Sequence, residues 1–244
     1  MTITLQHVKS TDSTNRQIKQ LNSQQPLTHG YCLFADFQTA GKGQGTNNWE
    51  SAEGENLLFS VWLDTQQFPV AEQFLLSEVI ASATAQALQQ YLPEVELKWP
   101  NDIYVGNKKL GGILIETIIK NGMMEHAIAG IGLNVNQTTF ISDAPNPISM
   151  KQLLGKDVDR EQLLAEIVTA IALGVGNFTY EQRDEWQHRY DSILFWRDGV
   201  HRFQDKDGDF QAKILRVESN GQLVLETTTH NIKRYFLKEV RFII

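Results

Sequence analysis

At 244 residues the chain holds one large domain, or one and a half at about 150 residues per domain. Its 41% hydrophobic and 21% charged content excludes a disordered chain, and 22 basic against 29 acidic side chains, a net of −7, exclude a broadly basic face for gripping nucleic acid. A single cysteine, Cys32, excludes an internal disulfide and a multi-thiolate zinc site, and makes a reducing compartment the default.

Residues 1–189 carry 13 Lys/Arg and 21 Asp/Glu, whereas 190–244 carry 9 and 8, so the C-terminal part is close to neutral. No apolar run reaches membrane-spanning length, and the N-terminal MTITLQHVKS lacks a signal-peptide core. The expectation is a soluble, cytoplasmic protein with no membrane partner.

In chain order, the N-cap residue types Ser10 to Thr14 introduce a short helix to about Gln24. Tyr31–Phe37 and Asn56–Leu63 read as strands, and the three alternate glycines Gly41, Gly43 and Gly45 make the segment between them a loop. Apolar residues Leu75, Leu76, Val79, Ile80, Ala83, Ala87 and Leu88 predict an amphipathic helix over Val70–Tyr91. Strands follow at Val95–Trp99, Ile103–Val105, Lys109–Ile118 and Met123–Gly132, with Gly106-Asn107 and Asn121-Gly122 as hairpin turns. A second long helix is expected from about Asp159 to Tyr180, with Asp159 and Gln162 as a capping pair. Past Ser192, Asp207-Gly208 and Asn220-Gly221 separate the short alternating runs Phe210–Val217 and Gln222–Thr227, and Arg234–Phe242 comes last. That spacing predicts a small β-barrel attached to an α+β main domain.

Several chemistries are absent. There is no G-x-x-x-x-G-K-[ST] loop and no G-x-S-x-G elbow, and Gly41–Thr46 fails G-x-G-x-x-G because Thr46 replaces its last glycine. The six histidines have no paired metal spacing. Cys32 lies within an apolar strand, where an inert thiol is expected.

Three polar, glycine-bearing stretches remain. In Gln38–Trp49 the glycines let backbone N–H groups approach an anion, Lys42 adds charge and Trp49 a flat face; a mobile surface loop is the competing reading. In the second, Lys98-Trp99-Pro100-Asn101-Asp102 precedes Lys108-Lys109-Leu110-Gly111-Gly112. The adjoining glycines assign Lys109 to a pocket, while Lys108 reads as a solvated edge-strand charge. In Ala129–Asn136, alternating glycines leave one strand face bare, suited to a flat ligand or to tight packing. Together these parts suit acyl-adenylate formation: lysines to neutralise a carboxylate and an α-phosphate, a carboxylate for Mg²⁺, a stacking surface, and a loop that excludes water.

Taken in order, Ser13-Thr14-Asn15, Gln38-Thr39-Ala40-Gly41-Lys42-Gly43, Trp49, Lys98–Asp102, Lys109–Leu114 and Gly130–Asn134 resemble the biotin protein ligases, biotin–[acetyl-CoA-carboxylase] ligases. The resemblance implies a class II synthetase-like α+β fold: a mixed or antiparallel central sheet flanked by helices over 1–189, and an SH3-like β domain over 190–244. It also implies ATP-dependent, AMP-forming activation of biotin, then transfer to a lysine of a biotin carboxyl carrier protein or domain, by a monomer or homodimer. Ser13, Thr14 and Gln38 then bond biotin's ureido region, and Gly41 and Lys42 line the loop over carboxylate and phosphate. Lys109 sits at the carboxylate–phosphate junction, with Gly112, Ile113, Gly130 and Gly132 beneath the ligand. Gly43, Gln44, Trp49, Asn101 and Asn134 lie at the nucleotide, with Asp102 as Mg²⁺ ligand and, with Lys42 and Lys109, as a catalytic group.

The chain departs from that family in its loop, commonly G-R-G-R-R-G-R-x-W, which here keeps its length but has one lysine in place of the arginines; a point charge replaces planar forks. Some relatives also carry an N-terminal helix-turn-helix repressor domain, but the match begins near residue 10, so a ligase that does not bind DNA is expected. The competing readings are a lipoate–protein ligase or octanoyltransferase of the same fold, and a non-catalytic biotin-binding regulator.

Overall fold

The computed structural model describes residues 2–45, 48–141 and 146–244. The main sheet has seven strands in the order β1-β2-β3-β7-β6-β5-β4. These are β1 (Thr4–Thr11), β2 (Tyr31–Gln38), β3 (Leu57–Asp64), β4 (Val95–Lys98), β5 (Asp102–Val105), β6 (Lys108–Lys120) and β7 (Met123–Leu133). Only β1 and β2 pair in parallel, because the crossover between them contains helix α1 (Thr14–Gln24). The remaining neighbours are antiparallel, and most are joined by tight turns. At Asn121 and Gly122 both φ angles are positive (51° and 75°), which the β6–β7 hairpin requires and which favours Asn-Gly.

Strand β3, LLFSVWLD, is buried along all but its last residue because both faces of the sheet are covered there. One face packs on α2 (Gln73–Gln89) and α4 (Arg160–Gly176), whose stripes Leu75, Leu76, Val79, Leu163, Leu164, Ile167 and Ile171 form the main core with Phe59 and Val61. On the other face Ile18 of α1 packs with Leu33, Trp62 and Ile128. Because α1 covers only part of that face, a hollow remains beside it.

Both long helices are shorter than their apolar patterns suggest. The predicted 70–91 helix opens as a 3-10 turn (Val70–Glu72) before α2, and the second ends at Gly176 instead of Tyr180. Asp159 caps α4 by accepting from Glu161 N and Gln162 N at 3.0 and 3.1 Å. The Gln162 amide turns instead to Glu166 Oε1 at 2.9 Å, so the expected reciprocal capping pair is one-sided. Two further helices, α3 (Met150–Leu154) and α5 (Arg183–Ser192), complete the set.

The C-terminal module is a five-stranded antiparallel sheet, order β11-β10-β9-β8-β12, built from β8 (His201–Asp205), β9 (Gly208–Val217), β10 (Leu223–Thr227), β11 (Ile232–Tyr235) and β12 (Arg241–Phe242). The run expected as one strand over 234–242 is thus two strands, split by a turn in which Lys238 has φ +71°. The expected division after residue 189 falls within the last turn of α5. The module is bonded to the main domain: Trp99 Nε1 donates to Gly221 O at 3.0 Å and Gln187 Nε2 to Val217 O at 3.0 Å.

Candidate active site

The hollow beside α1 is a cavity of about 330 Å³. Its floor follows from strand register: Gly112 of β6 faces Gly132 of β7, Leu114 faces Gly130, and Asp102 of β5 faces Gly112. The absent side chains create the space. A methyl group on Gly130 would overlap the Asn15 amide, and one on Gly132 would lie 2.5 Å from Trp49 Cε2.

One end of the cavity carries neutral hydrogen-bonding groups. Ser13 occupies the N-cap position of α1, yet its hydroxyl does not cap the helix and instead lines the cavity. Thr14 donates from N and Oγ1 to Gln38 Oε1 at 2.7 and 3.1 Å, which fixes the end of β2 against the start of α1. The Ser60 hydroxyl lies 2.6 Å from both Thr14 Oγ1 and Asn15 Oδ1, while Asn15 Nδ2 donates to Glu116 Oε2 at 2.9 Å. Glu116 in turn pairs with Lys19 at 3.2 Å. Ser60 and Glu116 escape sequence inspection because each sits alone in an apolar strand. Only the alternation of β3 and β6 points them toward the bare glycines.

The other end is charged. Lys109 Nζ lies 2.6 Å from Asp102 Oδ1, with both side chains mostly shielded at 25% and 18% exposure. Asp102 Oδ2 has no partner among the described residues. The strand is held behind Lys109 by backbone bonds from its N–H to Asn146 O and from Ile148 N to its carbonyl, 2.8 and 2.9 Å. Lys42 also lines the cavity, on a loop pinched at its base by Trp49 N donating to Gly41 O at 3.1 Å. The Lys42 and Lys109 segments thus meet in one cleft. Trp49 lies over the glycine floor, 5.7 Å from Lys109 Nζ to its ring centre, with its indole N–H buried and unpartnered among the described residues.

Of the other predicted positions, Gly43, Gln44, Asn101, Gly112, Ile113, Gly130 and Gly132 all line the cavity. Two stand behind it. Asn134 is buried, with its Nδ2 donating to Ile148 O at 3.1 Å, so it braces the segment behind Lys109. Gly41 is buried at the loop base, where a methyl group would press on the Gln38 amide at 3.2 Å. The Asn101 Nδ2 donates to Ile113 O at 3.0 Å, which ties the turn before β5 to β6. Lys98 lies outside the cavity, half-buried, with its ammonium 4.6 Å from the Phe242 ring centre; burial foremost, and Lys109 nearby, lower its pKa. Cys32 is fully buried, and desolvation pushes its thiol well above the ordinary range, as its apolar strand implies. Thr46 and Asn47 of the loop lie outside the described residues.

Known proteins are similar to this one along most of the chain. A model of the biotin/lipoate A/B protein ligase family matches residues 7–134, just over half the chain. The bifunctional ligase/repressor BirA of Bacillus subtilis is 29% identical over 246 residues, covering 96% of this chain and 71% of that protein. The biotin–[acetyl-CoA-carboxylase] ligase of Mycobacterium tuberculosis is 28% identical over 165 residues, covering 66% of this chain and 60% of that one. Among solved structures, the biotin protein ligase from Aquifex aeolicus in complex with biotin and ATP superposes with a TM-score of 0.79 at 27% identity, covering 98% of this chain and 99% of that one. A cleft with a glycine floor, bounded by a Ser-Thr-Asn helix start and a paired lysine, coincides with the matched segment, and the chain belongs to the biotin/lipoate A/B protein ligase family.

Proposed function

We propose that the protein activates biotin with ATP to biotinyl-5′-AMP and passes the biotinyl group to a lysine of a biotin carboxyl carrier protein or domain. The observation that carries this reading is the polarity of the cleft. Neutral donors and acceptors (Ser13, Thr14, Asn15, Gln38) gather at one end, and Lys109 with Asp102 at the other. Biotin has the same polarity, with a ureido ring at one end and a carboxylate at the other. A lipoyl or octanoyl chain offers these hydroxyls and amides no hydrogen bond beyond those they make with one another, whereas a ureido group brings two donors and an acceptor. That difference favours the ureido ligand.

In the first step a biotin carboxylate oxygen attacks the ATP α-phosphorus. The bond from that phosphorus to the bridging oxygen breaks, and pyrophosphate leaves with the electron pair. Lys109 lies where the two anions meet and lowers the repulsion between them, and Asp102 holds its ammonium in place. Lys42 adds a second positive charge from the loop. Trp49 provides the apolar face for adenine, and the glycine floor lets the ligand lie against the sheet backbone. In the second step a neutral carrier amine attacks the acyl carbon, the C–O bond to phosphate breaks, AMP leaves, and the nitrogen loses its proton to water. No protein nucleophile is required, which accords with the buried Cys32.

The residues also suit Mg²⁺ entering with the triphosphate. Mg²⁺ at such sites keeps several waters and takes one or two protein carboxylates, and Asp102 has one oxygen free while Glu116 is already committed to Lys19 and Asn15. When bound, the ion supplies charge neutralisation at the phosphates.

The test is incubation with ATP, Mg²⁺, biotin and a purified carrier domain, followed by intact mass measurement, with lipoate and octanoate as parallel substrates. Biotin-dependent pyrophosphate exchange and a carrier heavier by one biotinyl group are expected. Exchange with lipoate alone would overturn the reading, and biotin binding without AMP release would make the protein a regulator.

A further inference from the structure

The neutral end of the cleft is a row of oxygens whose protons can be counted. Asn15 Oδ1, Ser60 Oγ, Thr14 Oγ1 and Gln38 Oε1 follow one another at 2.6, 2.6 and 3.1 Å. Thr14, Asn15 and Ser60 are buried, and Thr14, Asn15 and Gln38 line the cavity. Groups outside the row fix both of its ends as acceptors. The Thr14 N–H can only donate; it lies 2.7 Å from Gln38 Oε1 and so keeps the oxygen of that amide turned inward. Glu116 does the same for Asn15. Its carboxylate, in an ion pair with Lys19, can only accept, so it takes Asn15 Nδ2 at 2.9 Å and leaves Asn15 Oδ1 facing Ser60.

The two hydroxyls then hold two protons for three contacts. Whichever way they turn, one pair of oxygens in the row meets lone pair to lone pair, and in a low-dielectric pocket such a shortfall is destabilising. A donor entering beside Thr14 and Asn15 offsets the excess of lone pairs. A urea N–H is such a donor, and a methylene of an acyl chain is not.

We propose that Glu116 is a positioning residue that sets specificity: by holding Asn15 in this orientation it leaves the neutral end one proton short, and so selects a ligand that donates N–H there. The inference deepens the biotin-activating function proposed above and rests on it. With glutamine at position 116 the Asn15 amide is free to turn over. Asn15 Nδ2 then donates to Ser60, Ser60 to Thr14 and Thr14 to Gln38, every contact has its proton, and the preference for a donating ligand disappears.

The experiment compares the wild-type chain with Glu116→Gln, Asn15→Ala and the double variant. Calorimetry measures binding of biotin and of the two cyclic carbamates in which one or the other ureido N–H is replaced by a ring oxygen, and biotin-dependent pyrophosphate exchange is followed in parallel. Wild type is expected to bind at least one carbamate about tenfold more weakly than biotin, the scale of one hydrogen bond. In Glu116→Gln the dissociation constant and KM for biotin should rise about tenfold with kcat little changed, and the preference for biotin over that carbamate should fall to about threefold or less. A merely structural loss would weaken biotin and carbamate alike, so an unchanged preference in Glu116→Gln would overturn the proposal. Equal binding of biotin and both carbamates by wild type would do the same. Once Asn15→Ala has cut the row, adding Glu116→Gln should alter biotin affinity less than about twofold; a further tenfold loss would show Glu116 acting by its own contact and refute the relay through Asn15. If wild type shows the preference but no biotin-dependent exchange, the adenylating function fails and the role of Glu116 stands; if it binds no biotin, both fail.

Discussion

Glu78 lies on α2 where that helix meets α5 and the C-terminal module, 2% exposed, with Oε1 unpartnered among the described residues. Burial first, then the negative charges of Asp191 and Glu72, push its carboxyl up to about 8 from the ordinary 4.5. In the unfolded chain Glu78 loses its proton near 4.5; in the folded chain it keeps it to about 8. The native state therefore binds more protons throughout that interval, so stability must fall as pH rises through it and level off on either side. At 1.36 kcal/mol per pH unit the loss has a ceiling of about 5 kcal/mol, a large share of the roughly 5–15 kcal/mol that stabilises a typical domain. Glu78→Gln keeps the shape but cannot ionise. Urea midpoints measured at pH 5, 6, 7 and 8 should coincide for the two proteins at the acid end and diverge upward, with the variant the more resistant at pH 8. Two curves separated by the same gap at every pH would show that Glu78 is not a buried titrating acid and refute the reasoning.

Substitutions in the cleft should separate its two ends. Gly132→Ala drives a methyl into Trp49, and Gly130→Ala drives one into Asn15. The first is expected to raise the KM for ATP more than that for biotin, and the second the reverse, each by at least about tenfold; the same parameter moving in both would contradict the assignment of ends. Lys42→Ala should slow biotin-dependent pyrophosphate exchange by roughly ten- to a hundredfold, and an unchanged rate would remove Lys42 from the reaction. Cys32, with its thiol shielded and its pKa raised by burial, should resist iodoacetamide at pH 8 until the chain is unfolded in denaturant. Rapid labelling of the native protein would contradict that burial.

How much of this was legible in the sequence depended on whether a segment's own pattern matched its structural role. The strands β2, β3, β6 and β7 announced themselves by their apolar runs, and the β6–β7 turn because Asn-Gly suits positive φ. Strand β1 gave no such signal: it is an edge strand, TLQHVKST, with no fully buried residue, and its pairing with β2 is specified by the α1 crossover and not by its own composition. Helix α5 was equally hidden, since only Tyr190 of its ten residues is buried. In the site, the glycines and lysines stood out by type and clustering. Ser60 and Glu116 did not, because their role arises from which face of the sheet remains open, a property of register. Asn134 adds a bracing bond that its motif did not announce, its buried Nδ2 donating to Ile148 O behind Lys109.

The cleft concentrates positive charge in a protein whose total is −7. Among the described residues lining it, Arg16, Lys19, Lys42 and Lys109 face only Asp102 and Glu116. The excess is not spread evenly. Arg16 pairs with Asp12, and Lys19 with Glu116, so the end that would take the uncharged ring is balanced internally. Against Lys42 and Lys109 stands the single carboxylate of Asp102, paired with Lys109, so the net charge stands at the end where two anions must approach each other. An acidic exterior repels anions in general, while low-dielectric walls focus the local positive field into the opening. Selectivity for an anion thus begins in the placement of the lysines, before any contact is made. On the function proposed above, the same placement would orient biotin with its ring toward Thr14 and Asn15 and its carboxylate toward Lys109. A ligand bound in reverse would put its carboxylate against Glu116, and like charges at that distance oppose it. Orientation and catalysis therefore draw on the same asymmetry, and Asp102 connects them by holding Lys109 at the charged end while leaving one oxygen free.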